Sequence, residues 1–272
     1  MKASTFRCLS AVVLPVLILA AAHAAGPQKP APVCPPDTWG YHPPIGPDRW
    51  ATLAPEYAQC AAGREQSPID IARPHRASLP PLTFSYGTIN GLHVEHNGHS
   101  IEGKVSAQAP ADRVTLRIQG VDYRLQRFHF HTPSEHKVGG GTEPMEVHLV
   151  HEGPGGQTVA VGVFIRGTQA NAELSKIFDR LPQRKCESIT VPSFNLQALL
   201  PANRASYRYA GSLTTPACGQ GLQWVVLKAP ISIKPEQVTA FRRLFWSAPL
   251  FPHGNSRPVQ PLNGRVVETD VP

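Results

Sequence analysis

The chain has 272 residues, of which 41% are hydrophobic and 17% charged, and its formal net charge is +7 at pH 7. This length supplies enough apolar sequence for one large globular domain. The basic surplus is dispersed, without a run of like charges or a stripe of basic and aromatic residues, so the sequence argues against nucleic acid as a partner.

The first 25 residues are typical of a signal peptide. Lys2 and Arg7 form a basic start, residues 9–22 are apolar, and small residues follow at the spacing that signal peptidase requires. We expect cleavage near Ala24 or Ala25 and a periplasmic or secreted product. The apolar run is short for a membrane span, so we expect no stable membrane insertion after cleavage. A retained N-terminal anchor is the alternative.

Residues 26–37 are predicted to form a proline-rich leader, and residues 38–272 a single domain. The stretch 26–47 contains 8 of the 29 prolines, which is typical of an extended, semi-rigid segment.

Beyond the leader, short apolar runs alternate with turns rich in Gly, Pro and Asn, as in residues 114–125 and 156–165. Three segments carry helical patterns: residues 171–180, 195–199 and 235–245. Ser232 or Pro235 is the expected start of the last helix. We therefore predict a mainly β (α+β) fold with a large, twisted, mostly antiparallel central sheet and short peripheral helices.

The segment 127–131 alternates histidine with phenylalanine. Because side chains alternate between the faces of a strand, His129 and His131 share one face. The run 145–151 is also strand-like, and if it pairs beside the first strand it can bring His148 to the same ion.

Glu146 lies two residues before His148, on the same face, where its carboxylate can accept the outer ring N–H of a metal-binding histidine. Three histidine ligands leave a fourth tetrahedral position open, which is typical of a catalytic zinc site. The alternative is that these are ordinary strand histidines, since the chain has 12 histidines and most histidines in proteins bind no metal.

Four cysteines follow the signal peptide: Cys34, Cys60, Cys186 and Cys218. An even number in an exported protein predicts disulfide bonds, and four cysteines allow three pairings. No two of them have the close spacing of a structural zinc site.

Blocks along most of the chain resemble the signature segments of the α-class carbonic anhydrases, in the order and at the separations of that family. They are Trp39-Gly40-Tyr41, Gln66-Ser67-Pro68, Asn97-Gly98-His99, Phe128-His129-Phe130-His131, Ser134-Glu135-His136, Glu146-Val147-His148, Leu213-Thr214-Thr215-Pro216, Gln223-Trp224 and Asn255-Ser256-Arg257. The resemblance covers residues 38–265 and also implies the family fold.

The resemblance implies reversible hydration of carbon dioxide to bicarbonate and a proton by zinc-bound hydroxide. His129, His131 and His148 would bind Zn²⁺, while Glu146 and Asn255 would support these ligands. A homodimer is compatible with an exported enzyme of this kind.

The resemblance also implies how protons are handled. Thr214 would accept a hydrogen bond from the hydroxide, and its own hydroxyl would donate a hydrogen bond to Glu135. His99 would shuttle the released proton, and Tyr41 and Asn97 would order the water chain that leads to it.

Carbon dioxide is small and apolar, so its site should be an apolar patch beside the metal. By resemblance, Val150, Leu213 and Trp224 line this patch, and Thr215 lines the substrate and bicarbonate site. The alternatives are ordinary core positions for the first three and a plain turn for Thr215.

The resemblance favours a disulfide between Cys60 and Cys218, which leaves Cys34 and Cys186 open to pairing with each other. The first bridge would brace the loop that follows Thr214 against the Cys60 segment.

The chain departs from the family pattern at Arg127, two residues before the first predicted ligand, where the family usually has a glutamine. A guanidinium has no acceptor for the outer ring N–H of His129. Either a local shift of the strand gives this role to Gln126, or water or a backbone carbonyl orients His129. At Ser256 many relatives carry tryptophan, a change expected to affect packing alone.

Two other functions stay open at this point. A noncatalytic binding module on the same fold would require Arg127 to have spoiled the site. A different zinc hydrolase is the second, although the sequence has no HExxH motif.

Overall fold

The computed structural model describes residues 34–245 and 254–270, which belong to one compact unit. The predicted signal peptide and residues 26–33 of the predicted leader lie outside the described residues. Within the described ranges, no helix is both long enough and apolar enough to cross a membrane.

The described residues form fourteen strands, and twelve of these belong to one large, open, twisted sheet. The strands are β1 (Asp70–Ile71), β2 (His75–Ala77), β3 (Leu82–Tyr86), β4 (Thr88–His96), β5 (Ile101–Lys104), β6 (Val114–Ile118), β7 (Val121–His131), β8 (Lys137–Val138), β9 (Met145–Glu152), β10 (Thr158–Gly167), β11 (Ser188–Asn195), β12 (Ser206–Ser212), β13 (Gln220–Ile233) and β14 (Glu268–Asp270).

The large sheet has the strand order β11-β4-β5-β7-β9-β10-β13-β12-β14-β2, and β6 joins β3 to β7. The pairs β10–β13 and β14–β2 are parallel, and the other described pairs of this sheet are antiparallel. Strands β1 and β8 form a separate two-stranded parallel sheet. The predicted fold class, with its mostly antiparallel central sheet, is confirmed.

Helices lie at the periphery of this sheet. They are α1 (Trp50–Leu53), α2 (Gln59–Ala62), α3 (Ala172–Phe178) and α4 (Pro235–Phe245), with 3-10 turns at Pro55–Tyr57, Ala111–Arg113 and Leu196–Leu199. The three predicted helical segments all form helical structure, although the second is a 3-10 turn. Helices α1 and α2 were not predicted, because four residues are too few to show helical periodicity.

Side-chain caps fix where the two longer helices begin. The Asn171 carboxamide oxygen accepts hydrogen bonds from the backbone N–H groups of Glu173 and Leu174, which satisfies two donors that α3 leaves free. Helix α4 begins at Pro235, and the Gln237 side chain accepts a bond from the Lys234 N–H, as in a capping box.

Strand β7 follows a tight turn in which Gln119 and Gly120 both have positive φ, which suits the twist of a hairpin. The strand then turns Phe128 and Phe130 into the main core, where Phe130 packs edge-on against Phe178 of α3. This burial fixes the register of the strand, so its alternate side chains must emerge on the opposite face of the sheet.

Candidate metal centre and active site

Strands β7 and β9 bring the three predicted histidine ligands together. In the antiparallel register His129 lies opposite His148, and His131 lies opposite Glu146. The ring centroids are 5.0 Å apart for His129 and His131, 5.4 Å for His129 and His148, and 4.5 Å for His131 and His148. One nitrogen from each ring lies within 4.8 Å of the others, so the three side chains could hold one metal ion.

Hydrogen bonds select which nitrogen faces the ion for two of these rings. The Nδ1 of His131 donates to the Asn255 carbonyl at 2.8 Å, and its Nε2 is buried without a hydrogen-bond partner. The Nε2 of His148 donates to Glu146 Oε1 at 2.9 Å, which leaves Nδ1 toward the cluster. A buried nitrogen without a partner is costly, and a bound metal ion would satisfy it.

Glu146 is the centre of a buried network beneath the ligands. Its Oε2 accepts the backbone N–H groups of Glu135 and His136 at 2.9 and 2.8 Å, and its Oε1 accepts His136 Nδ1 at 2.7 Å in addition to His148. Burial alone would raise the pKa of this carboxyl, but His136 and His148 hold it well below its ordinary value. The carboxylate is therefore anionic and holds the His148 ring in place.

His136, Glu146 and His148 also lie close enough together to hold a metal ion. The two oxygens of Glu146 already accept four hydrogen bonds, however, and His136 Nε2 bonds the Tyr209 hydroxyl at 2.7 Å. These atoms have no free ligand positions, so this group supports the first site rather than forming a second one.

His129 differs from the other two predicted ligands because no hydrogen bond fixes its ring, and its buried Nδ1 has no partner. A bulge shifts the register between Leu125 and Arg127, but the Gln126 amide bonds weakly to the Arg124 carbonyl at 3.4 Å and does not take over as acceptor. Of the two alternatives for orienting His129, the one in which Gln126 takes the role of the family glutamine is not the arrangement seen.

Arg127 turns instead to the neighbouring strand. Its Nε lies 3.6 Å from Glu102 Oε2, and Glu102 is the cross-strand partner of His129. The pKa of His129 is well below its ordinary value. Burial is the largest cause, followed by the nearby His131 and His148, and Arg127 has a smaller effect. The ring is thus neutral and able to bind a metal.

Glu135 lies beside the histidine cluster and is fully buried. Its Oε1 accepts the Arg257 N–H at 2.7 Å, while Oε2 makes no hydrogen bond and lies 3.6 Å from His131 Nε2 and 3.7 Å from His148 Nδ1. Burial raises the pKa of this carboxyl to about 7, although the Thr214 hydroxyl and other neighbours lower it in part. Thr214, itself buried, is thus near the carboxylate that the family pattern assigns to it.

One residue of the predicted apolar wall, Trp224, packs directly on a histidine of this cluster. Val150 is buried, continues the face of His148 and belongs to neither of the main core clusters formed by the described residues. The Trp224 ring packs edge-on against His148 at 4.7 Å, and its Nε1 donates to the Ser212 carbonyl. Leu213 is partly buried against the cluster that contains Trp224. Thr215 is half-buried, and its carbonyl accepts the Cys218 N–H at 2.7 Å.

The residues predicted to handle protons, Tyr41, Asn97 and His99, come from the N-terminal part of the domain. The His99 ring stacks on Trp39, and its Nε2 donates to the Trp39 carbonyl at 2.8 Å. The Asn97 oxygen accepts the N–H groups of His99 and Ser100, so it shapes the turn that carries His99, the predicted shuttle. Loss of solvent, and then Glu135, raise the pKa of the Tyr41 phenol well above its ordinary value.

Asn255 connects these two regions. Its side chain accepts the Thr132 N–H at 2.8 Å and donates to the carbonyls of His99 and Phe130, while its own carbonyl holds His131. The adjacent Ser256 is buried, and its hydroxyl donates to the Pro133 carbonyl.

Two disulfide bonds are present, Cys60–Cys218 and Cys34–Cys186. The first lies beside Arg257, whose guanidinium donates to the carbonyls of Cys60 and Ser67 and to Gln66 Oε1. The loop after Thr214 is therefore tied to the segment that buries this cation.

Sequence reasoning assigned no role to His136, Tyr209 or Arg257. His136 and Arg257 belong to segments that resemble the family, but no pattern in the sequence indicates that their partners come from distant strands. The only available signal was Glu146, because a buried carboxylate requires more donors than one histidine supplies.

The family model described as eukaryotic-type carbonic anhydrase matches residues 45–271. A curated carbonic anhydrase from Klebsiella pneumoniae is 38% identical over 231 residues, covering 84% of this chain and 89% of the relative. A second, from Neisseria gonorrhoeae, is 37% identical over 229 residues and covers 84% and 86%. The solved α-carbonic anhydrase of Thermovibrio ammonificans in complex with sulfanilamide has a TM-score of 0.75 at 37% identity, covering 85% of this chain and 98% of that one.

Proposed function

The chain belongs to the eukaryotic-type, or α-class, carbonic anhydrase family, and we propose that it hydrates carbon dioxide with a zinc ion held by His129, His131 and His148. As a carbonic anhydrase, it interconverts carbon dioxide and bicarbonate. The observation that carries the zinc proposal is the convergence of three ring nitrogens, one of them the buried, unpartnered Nε2 of His131.

The donor set suits zinc. Three neutral imidazoles with an open fourth position are the ligand set of a catalytic zinc ion, and the buried bonds to Glu146 and the Asn255 carbonyl fix two of the rings. When bound, zinc in such a site acidifies water, so that a nucleophile exists near neutral pH.

The Thr214 and Glu135 side chains would orient that nucleophile. Glu135 is held by the Arg257 N–H and has one oxygen free to accept a hydrogen bond from the threonine hydroxyl. When the Thr214 hydroxyl donates to this carboxylate, its oxygen can only accept a hydrogen bond from the nucleophile, which would direct a lone pair of the nucleophile at the substrate carbon.

Carbon dioxide itself would lie against Val150, Leu213 and Trp224, with Thr215 at the bicarbonate end. These apolar side chains exclude water from one side of the cluster without offering a charged group to the neutral substrate. His99 would take the released proton to bulk solvent, with Tyr41 and Asn97 beside its path.

Export fits these residues. Two disulfide bonds indicate an oxidising compartment, so we propose that residues 1–25 are a signal peptide, that 26–37 form a leader, and that the domain acts in the periplasm or outside the cell. A homodimer stays a prediction that size measurement of the purified domain would test.

Stopped-flow measurement of carbon dioxide hydration tests the proposal directly. We expect the purified mature protein to contain one zinc ion per chain and to lose its rate when zinc is removed or when His148→Ala is introduced. The matched control is His75→Ala, because His75 is exposed on β2 and should change neither quantity. Absence of any rate above buffer in protein with bound zinc would overturn the catalytic proposal and favour a noncatalytic binding module.

A further inference from the structure

His99 is held against Trp39 by two contacts. The imidazole lies flat on the indole, with ring centroids 3.6 Å apart and planes inclined by 8°. Its Nε2 donates to the Trp39 carbonyl at 2.8 Å. A nitrogen that donates to a carbonyl cannot accept a proton, so this ring must leave Trp39 before its Nε2 can receive one.

A second layer of contacts fixes this stacked position. Asp37 Oδ1 lies 3.6 Å from His99 Nε2 and 2.6 Å from the Lys185 ammonium, which also donates to the Pro35 carbonyl. The carboxylate is thereby fixed beside the imidazole. It attracts the ring most strongly when the ring is protonated, which favours the stacked position still more.

The segment that carries Asp37 and Trp39 is joined covalently to the segment beside the turn that carries His99. Cys34 is bridged to Cys186, the residue after Lys185, and the Cys186 N–H donates to the His96 carbonyl at 2.7 Å. Gly98 has φ of +96°, and a Cβ at this position would lie 2.9 Å from Asp37 Oδ1. The turn that carries His99 thus packs directly on the Asp37–Lys185 ion pair.

We propose that Asp37 and Lys185 are positioning residues that hold His99 in the Trp39-stacked position and so limit the rate at which protons leave the site. The inference rests on the proposed function, in which His99 carries the proton. Weakening the ion pair would shift the ring toward positions in which it is free of Trp39.

The kinetic test uses Asp37→Asn and Lys185→Met, which remove one charge each and leave side chains of similar size. We expect kcat to rise by roughly two- to ten-fold, the population shift that loss of one hydrogen bond produces. We expect kcat/KM to stay the same, because attack on carbon dioxide precedes proton removal and does not use His99.

Two comparisons make this test decisive. Asp122→Asn breaks an exposed ion pair with Arg117 of the same length, 2.6 Å, and should leave kcat unchanged. In a His99→Ala background, Asp37→Asn should have no effect on kcat, because the group that it positions is gone. An equal change in that background, a changed kcat/KM, or an unchanged kcat in both single variants would each overturn the inference.

A measurement without turnover separates this inference from the proposed function. In zinc-free protein, stacking on Trp39 should shift the His99 ring-proton resonances upfield, and these resonances are identified by their loss in His99→Ala. Asp37→Asn and Lys185→Met should return them toward ordinary histidine values. Unchanged resonances would overturn the inference whether or not the wild-type protein hydrates carbon dioxide.

Discussion

The two faces of strand β9 use the same residue type in opposite ways. Glu146, His148 and Val150 lie on the face of the candidate metal centre, while Met145, Val147 and Leu149 join the main core together with the neighbouring His151.

Both histidines of β9 are fully buried, but only one has a free nitrogen. The Nδ1 of His151 donates to the Val159 carbonyl at 3.3 Å, and its Nε2 accepts the Tyr86 hydroxyl at 2.5 Å, so both ring nitrogens are used. One ring nitrogen of His148 donates to Glu146, and the other faces His129 and His131. A buried histidine therefore becomes a ligand candidate when one nitrogen is fixed and the other is left unsatisfied.

The largest expected effect concerns His151, on the face of β9 that joins the main core. Burial lowers the pKa of His151 from 6.5 to about 4, so the ring is neutral in the folded protein while the unfolded chain takes up a proton below pH 6.5. The stability that neutral His151 contributes is complete above pH 6.5 and is lost as the pH falls toward 4, by about 3 kcal/mol in total. Urea unfolding of zinc-free protein across this range should therefore show wild type losing more stability than His151→Asn.

The variant also loses the Tyr86 bond, so it should start roughly 1 to 3 kcal/mol less stable at pH 7. Taking the difference between the two proteins removes the contributions of the other histidines. Parallel curves for wild type and variant would contradict the assignment of His151 as a neutral core residue.

The next largest effect concerns Glu146, on the face of β9 that carries His148. In Glu146→Gln, the single side-chain oxygen must still accept the N–H groups of Glu135 and His136. The amide nitrogen therefore takes the place of Oε1 and donates to His148 Nε2. That forces the proton of His148 onto Nδ1, the nitrogen that faces the site. We expect zinc affinity to fall by roughly 10- to 100-fold in a competitive chelator titration.

Glu152→Gln is the matched control, because Glu152 is the exposed last residue of the same strand. It should leave the zinc affinity at the wild-type value. An unchanged affinity in Glu146→Gln would mean that this carboxylate does not set the tautomer of the ligand.

The smallest effect concerns His129, whose buried Nδ1 has no hydrogen-bond partner and whose ring, unlike those of His131 and His148, is not fixed by a hydrogen bond. Arg127→Gln supplies an acceptor, and we expect tighter zinc binding or faster turnover, by less than about ten-fold. Arg127→Met removes the cation without adding an acceptor and should not reproduce the gain. If zinc affinity and turnover both stay unchanged in Arg127→Gln, the missing acceptor has no functional cost.

Local patterns predicted three helical segments, several of the strands and the faces of the two strands that carry the candidate ligands. Alternation separated Phe128 and Phe130 from the histidines, and Asn171 and Pro235 marked the starts of helices because caps act within one turn. The resemblance supplied the pairing of distant blocks, such as Thr214 with Glu135.

Other features could not be predicted because they depend on long-range packing. The bulge before Arg127 leaves no mark on alternation, and the four donors around Glu146 come from two segments that meet only in the folded sheet. The choice of ring nitrogen likewise follows from partners such as the Asn255 carbonyl, 124 residues from His131.

That last contact has a consequence for the order in which the site is assembled. All three ligand histidines have been synthesised by residue 148, but the carbonyl that orients His131 and the N–H that holds Glu135 come from Asn255 and Arg257. Contacts of such large sequence separation form late, because closing a long loop is entropically costly. A chain whose C-terminal segment has not yet docked would therefore have its three candidate ligands but not the contacts that orient them, and we expect full metal affinity only after this segment has docked.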